Sequence, residues 1–260
     1  MKDHLGNLAR GIAIGAADVV PGVSGGTIAL ITGIYDRLIN AISNVVPGLK
    51  KLLKGEIKAF WETIDGSFLL SIFIGIAISF ISLAKGISYA LVHYPEELNA
   101  FFFGLILSSA IYLAKQIPVR TTLHFLIFAL GVGVAYGLTI LPPLSPTPSY
   151  AMVFGAGAIA ICAMILPGIS GSFILLIMGM YEFILGGIKD FKLAIIGTFM
   201  AGAVLGILSF AKLLSWLFKH YKSETLWLLT GFLIGALNKV WPWKVADKTL
   251  EVDGKVKVLT

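Results

Sequence analysis

The sequence predicts an all-α polytopic membrane protein. It is built from two inverted repeats, each carrying a re-entrant hairpin of broken helices plus transmembrane helices. Three observations lead there. First, 57% of the 260 residues are hydrophobic and only 13% charged, whereas a soluble domain carries about 25% charged residues to cover its surface. Second, several segments are continuously apolar over the ~20 residues that a bilayer crossing needs. Third, a P-G-x-S-G motif occurs twice, each time interrupting an apolar stretch.

The uninterrupted spans are roughly 67–92, 98–117, 121–141 and 193–218. A fifth, roughly 224–242, ends at Trp241-Pro242-Trp243, and tryptophans suit a membrane interface. Outer-membrane strands alternate with period two, which these segments do not. The first charged stretch, Met1 to Arg10, leads into Asp18 and Pro21-Gly22 rather than an apolar run with a small-residue cleavage site, so a cleavable signal is not expected. Cys162 is the only cysteine, which excludes an internal disulfide and a cysteine-based metal cluster. His93, His124 and His220 lack metal-ligand spacing, and no nucleophile–base pairing is visible. No cofactor and no nucleic-acid partner are expected, and the net charge of +6 reads as membrane topology.

The two broken stretches are about 10–40 and 151–186. Proline removes a backbone donor and glycine weakens a helix, so Pro21-Gly22 and Pro167-Gly168 should unwind each stretch mid-membrane. Unwound backbone survives at that depth only inside protein or beside a wet cavity. Ser24 and Ser170 then stand at the N-caps of the outgoing helices. The N–H groups of Gly25, Gly26 and Thr27, and of Gly171, Ser172 and Phe173, are expected to face the unwound region. Such ends attract anions.

The duplication extends beyond the motif. Residues 20–39 and 166–185 share nine identities in twenty positions at an offset of 146. Gly75, Ser82, Lys85, Ser88 and Glu97 recur as Gly202, Ser209, Lys212, Ser215 and Glu224 at an offset of 127. The 19-residue difference is absorbed by a linker where Lys50, Lys51, Lys54 and Lys58 interleave with Leu49, Leu52, Leu53 and Ile57. That spacing makes an amphipathic helix, to be read either as lying on an anionic membrane surface or as a solvated connector. The domain reading is one integral membrane unit: 10–117 as repeat 1, 118–150 as a linking transmembrane helix and loop, 151–243 as repeat 2, and 244–260 as a polar tail with a hairpin around Asp253-Gly254.

Basic residues give the orientation. With the N-terminus inside and 10–40 returning to its own side, the inner face collects eleven lysines and arginines, including Arg10, Arg37, Lys115, Lys219 and Lys222. The outer face collects seven, five of them in or beside the tail. A single-span reading of 10–40 puts the linker lysines outside and breaks the rule. Re-entrance makes three crossings precede the second repeat, so the halves are inverted, the pattern of secondary transporters.

Asp18 precedes Pro21 in an apolar stretch and has no counterpart, since Met164 occupies that place. It is either a partner for freed backbone N–H groups or a coupling carboxylate for protons or sodium. Lys85 and Lys212 either snorkel to headgroups or assist an anion, one towards each face.

The stretches ADVVPGVSGGTIALITGIYDRL (17–38) and MILPGISGSFILLIMGMYEF (164–183) resemble the PopT-type polyprenyl-phosphate translocases, a bacterial membrane family long labelled only as a domain of unknown function. The resemblance implies return of undecaprenyl phosphate from the outer to the cytoplasmic leaflet of the bacterial inner membrane, for lipid-carrier recycling. The family's motif carries over as Asp18, Pro21, Gly22, Ser24, Gly25, Gly26 and Thr27, and as Pro167, Gly168, Ser170, Gly171 and Ser172. The P-G-x-S pattern is also similar to undecaprenyl-pyrophosphate phosphatases. Those enzymes carry an arginine in the motif and a glutamate cluster nearby, where this chain has Gly25 and Gly171 and no such cluster. The reading is therefore a lipid translocase, not an enzyme, with a small-anion transporter or channel and a phosphatase-like enzyme as alternatives. Substrate-binding candidates are Ser24, Gly25, Gly26, Thr27, Ser170, Gly171, Ser172, Lys85 and Lys212. The partners expected are undecaprenyl phosphate, membrane lipid and a coupling ion at Asp18.

Overall fold

A computed structural model of the chain describes residues 3–20, 23–117, 121–243, 248–252 and 255–259. Pro21 and Gly22, with Asp253 and Gly254, lie outside the described residues. The first half runs α1 (His4–Asp18), α2 (Gly25–Ile31), α3 (Tyr35–Ser43), α4 (Val45–Leu52), α5 (Ile57–Thr63), α6 (Gly66–Ser82), α7 (Ala84–His93) and α8 (Pro95–Gln116). After α9 (Thr122–Ile140), the second half runs α10 (Tyr150–Ile165), α11 (Gly171–Ile177), α12 (Tyr181–Lys189), α13 (Leu193–His220) and α14 (Lys222–Ala236), closed by a 3-10 turn, Leu237–Val240. In the tail, β1 (Lys248–Val252) pairs antiparallel with β2 (Lys255–Leu259), Val252 opposite Lys255. The two strands pair as a hairpin does.

Helix boundaries repeat as the sequence does. The bounds of α2 and α3 plus 146 give the bounds of α11 and α12. The end of α7 and the start of α8 plus 127 give the end of α13 and the start of α14. Even the caps agree: Tyr94 and Tyr221 have φ/ψ of −135/51 and −138/52. A second break follows each motif, at Gly33 (φ +73) and Gly179 (φ +65), a left-handed turn that glycine makes without a Cβ penalty. The sequence analysis did not anticipate these breaks, although both glycines lie at the 146 offset. Across the second of them, α11 and α12 meet at 113°.

Small residues set the helix pairings. Gly11 abuts the backbone of Ile72 and Gly75, and Gly15 meets Ile76 and Ser79, so α1 and α6 run parallel. In the second half Gly157 abuts Phe199 and Ala203, and Gly206 meets Ala158, so α10 and α13 run parallel too. Glycine lets backbones approach where lipid supplies no hydrophobic drive. Because α1 and α6 are parallel neighbours, the chain returns to its starting end between them. Helices α8 and α14 are repeat counterparts, yet they run antiparallel. Leu113 and Gln116 share a cavity with Lys222 and Leu226 at one end, and Phe103 packs on Trp241 at the other, ring centroids 5.4 Å apart. Parallel to α14 lies α9, where Gly131 meets Leu228 and Gly231, and Gly235 meets Val132 and Ala135.

Among the described residues, three helices, Pro95–Gln116, Thr122–Ile140 and Leu193–His220, are long and apolar enough to cross a membrane, and two bent pairs raise the number to five. Their outward faces are apolar: Leu126 and Leu130 on α9, and Val204 and Leu205 on α13, are exposed. Such a surface requires lipid around it. The linker differs from the single amphipathic helix expected. It forms two short helices, α4 and α5, turned back on each other at Gly55 (φ +79). Leu53 and Ile57 stand exposed beside Lys54 and Lys58 at that turn.

Candidate functional site

The two motifs meet at the centre of the bundle, and the first is built into the second. Ser24 caps α2: its Oγ accepts from the Gly26 N–H at 3.1 Å. The same hydroxyl faces the carbonyls of Met164 (3.0 Å) and Leu166 (3.1 Å), where α10 ends. Thr27 Oγ1 accepts from the Gly168 N–H at 3.0 Å. Tyr35, at the start of α3, donates its hydroxyl to the Ile165 carbonyl at 3.2 Å. Ser24, Thr27 and Tyr35 are all buried. Three side chains of the first repeat thus satisfy the backbone that Pro167 and Gly168 leave without helical partners, as burial demands. Gly168 takes φ +82 and packs against Phe232, Leu233 and Ala236 of α14.

Asp18 ends α1 with its carboxylate on the other side of this junction. The Gly25 N–H donates to its Oδ1 at 2.6 Å, a short, charge-assisted bond at the positive end of α2. The Thr27 N–H in turn bonds the Ser24 carbonyl at 2.9 Å. The N–H groups of Gly25, Gly26 and Thr27 are therefore all engaged within the protein, and not open as the sequence analysis expected.

The second motif is different. Ser170 precedes α11 with extended backbone, but its Oγ pairs with Ser172 Oγ at 2.8 Å instead of capping the helix. Ser172 is exposed and Gly171 half-buried. Among the described residues, the N–H groups of Gly171, Ser172 and Phe173 have no acceptor. Asymmetry extends to the next helices. Tyr35 packs its ring on Phe218 of α13 at 5.6 Å, and Ser215 on α13 donates to Asn40 Oδ1 at 2.6 Å. The counterpart Tyr181 is only half-buried.

A cavity of about 180 Å³ opens beside the junction. Asp18, Gly25, Gly26 and Tyr35 form its polar end, while Ile14, Ile39, Ile72, Ile76, Ile161 and Ile207 are among its apolar walls. A second cavity, of about 210 Å³, lies at Gly171 and Ser172 between α10, α11 and α13. Lys85 and Lys212 are exposed on their helices and line neither cavity. The cation that the fold does bring to a motif is one the sequence analysis did not single out. Lys239 Nζ lies 4.5 Å from the centroid of the Phe173 ring, in the first turn of α11. The 127 offset maps Lys239 onto Tyr112, so the repeat pattern carries no signal for it. Among the described residues, no group of histidine, cysteine or carboxylate side chains is arranged to hold a metal.

Tyr35→Phe tests the weight of one cross-repeat bond. It should cost about 1 kcal/mol, read as a thermal shift of a few degrees in the purified chain, with the aromatic contact to Phe218 kept.

The sequence pattern of a family described as undecaprenyl phosphate translocase-like matches residues 14–256. A polyprenyl-phosphate transporter of Vibrio cholerae serotype O1 is 50% identical over 243 residues, covering 93% of this chain and 79% of the relative. A polyprenyl-phosphate transporter of Staphylococcus aureus is 32% identical over 254 residues, covering 91% of this chain and 86% of the relative. No solved structure matches the chain. The family match takes in both motifs, the junction they form and every helix from α2 to α14, and the chain belongs to the undecaprenyl phosphate translocase-like family.

Proposed function

We propose that the chain is a flippase for polyprenyl phosphate, returning undecaprenyl phosphate from the outer to the cytoplasmic leaflet for reuse in peptidoglycan and other cell-envelope synthesis. Both relatives are named for transport of polyprenyl phosphate. The observation that carries the reading is the junction of the two breaks beside an apolar cavity. An anion with a long lipid tail needs polar donors at depth and a path on which its tail stays among apolar side chains. Without donors, a charged headgroup meets a prohibitive desolvation cost. Asp18 shows what an anion does at the first break, where its carboxylate sits on the Gly25 N–H. The second break has Met164 in place of that carboxylate, with the N–H groups of Gly171 and Ser172 and two hydroxyls beside it. Those donors suit a phosphate headgroup.

In this reading the protein is a multi-pass protein of the bacterial cytoplasmic membrane, N-terminus inside, and transports without catalysis. The repeats are inverted and their broken hairpins re-entrant. The parallel run of α1 with α6 and of α10 with α13, and the antiparallel run of α8 with α14, support both. Ser24, Gly25, Gly26 and Thr27 serve the headgroup from one repeat and Ser170, Gly171 and Ser172 from the other. Lys85 and Lys212, exposed on their helices, assist at the two faces. Asp18 carries a coupling proton or sodium ion.

The test is leaflet exchange of labelled undecaprenyl phosphate in proteoliposomes. Wild type should exchange it, and the Ser24→Ala/Ser170→Ala variant should lose at least about tenfold in rate, as removal of two donors to a charged group implies. Wild type that moves chloride or phosphate but no lipid would turn the assignment to small-anion transport. Phosphate release from a lipid pyrophosphate would turn it to hydrolysis.

A further inference from the structure

We infer that the α4–α5 hairpin is a docking element for an anionic lipid surface, seating an apolar helix face among headgroups that its lysines recognise. The inference stands apart from the transport reading. Three observations converge. Val46, Leu49 and Leu53 recur at helical spacing and so share one face of α4 and its cap. That face is open: the three side chains are 47%, 42% and 87% exposed, and Ile57, just past the turn at Gly55, is 69% exposed. The hairpin closes on a different face, where Gly48 meets Phe60 and Ile64 of α5. Lys51 holds it shut, its Nζ donating to Thr63 Oγ1 at 2.8 Å. The second observation is charge. Lys50 and Lys54 border the open face, Lys58 follows on α5, and all three are exposed. The third is position. Helix α5 bends 66° away from α6, so with α6 across the membrane α5 runs nearer the membrane plane than its normal. Trp61 fixes that bend, packing on Gly66 and donating its Nε1–H to Ser67 Oγ at 3.0 Å.

The occupant follows from those positions. A solvated connector has no use for a leucine and an isoleucine standing almost free at its turn. An interfacial helix buries such residues at the boundary of headgroups and acyl chains and keeps its lysines among the headgroups. Lysine stems can lie along apolar surface while their ammonium groups reach water or phosphate, and tryptophan suits the same depth. Four lysines against Glu56 and Glu62 leave residues 45–63 with a net charge of +2, which an anionic leaflet complements and a zwitterionic one does not. The membrane is also already beside the hairpin, because α6 leads from it into the apolar bundle. The lipid at that end of the bundle therefore covers the open face of α4.

The test places an environment-sensitive fluorophore on the turn of the full chain. Cys162 is the only cysteine, so Leu53→Cys in a Cys162→Ser background takes a single label. The labelled chain is reconstituted in phosphatidylcholine vesicles with and without phosphatidylglycerol. With phosphatidylglycerol the emission should shift to the blue, spin-labelled lipid should quench it, and aqueous iodide should not. Without phosphatidylglycerol, or in rising salt, the probe should move towards water. Replacing Lys50, Lys54 and Lys58 together by Gln should lower the docked-to-undocked ratio at least about tenfold in the anionic vesicles, since each lysine near such a surface is worth roughly fivefold. Those exposed positions leave the fold intact, which a single size-exclusion peak checks. A probe that iodide quenches in both vesicles makes the hairpin a solvated connector and overturns the inference. A blue-shifted probe that ignores lipid charge and the lysine replacements overturns the recognition of anionic lipid, and the inference with it. A blue shift that spin-labelled lipid does not quench assigns the face to a second copy of the chain or another protein and overturns it too.

Discussion

Gly26→Val is expected to abolish function by forcing the two repeats apart. A Cβ on Gly26 runs into the carbonyl of Ile165, a backbone atom at the end of α10. Backbone there cannot yield without moving the carbonyls of Met164 and Leu166 that face Ser24 and that of Ile165, which holds Tyr35. Overpacking alone costs about 1–3 kcal/mol. Each cross-repeat hydrogen bond lost adds about 1 kcal/mol. The sum, at least about 3 kcal/mol, is a large share of the marginal stability of a folded chain. Monodisperse yield on size exclusion should collapse, and whatever folds should show a thermal midpoint many degrees lower. Gly86→Ala is the matched control. Gly86 lies in α7 with nothing within 4 Å of the new methyl, so helix propensity should leave it neutral or about 0.5–1 kcal/mol more stable. A Gly26→Val chain as stable and active as Gly86→Ala would remove the junction from the account.

Much of this architecture is legible in the sequence because apolar length and repeat offset are one-dimensional signals. The spans near 98–117 and 121–141 appear as α8 and α9 within a residue or three, since hydropathy alone sets their ends. The breaks are legible because proline and glycine act locally. What the sequence hides is which repeat engages which. Ser24 and Ser170 look equivalent at the 146 offset, yet one faces carbonyls across the repeat boundary and the other pairs with its neighbour. That difference depends on residues off the motif. Thr27 accepts from Gly168 where the counterpart Phe173 has no acceptor to offer, and Asn40 takes a hydrogen bond where Gly186 has no side chain. Lys85 and Lys212 stand out because they repeat, but repetition at the surface of a helix does not carry a side chain into the core. Lys239 is invisible to the same logic because it does not repeat. The linker lysines read as one helix since their spacing is helical, whereas Gly55 turns the chain at a point that periodicity does not mark.

Asp18 separates structure from coupling most sharply, because two substitutions pull the two roles apart. Asp18→Asn keeps an acceptor for the Gly25 N–H and removes the charge. Asp18→Leu removes both and leaves a buried donor with no partner, at a cost of about 1–3 kcal/mol. If the carboxylate only completes the cap of α2, Asn should restore both folding and exchange, and Leu should lose both. The coupling role predicts a different pattern. Asp18→Asn should fold within about 1 kcal/mol of wild type, since the bond lost is charge-assisted but the geometry survives. It should nevertheless lose the acceleration of lipid exchange that an imposed proton or sodium gradient gives wild type. The physical ground is the position of the group: a carboxylate at the polar end of an apolar cavity, bonded at 2.6 Å to a helix end that a phosphate would also seek. In the coupling role, a cation neutralising Asp18 would loosen it from Gly25 and free that N–H for the headgroup, so that ion binding and lipid binding at the first break would favour each other. Gradient-driven exchange in Asp18→Asn equal to wild type would leave Asp18 as a cap and move the coupling ion elsewhere.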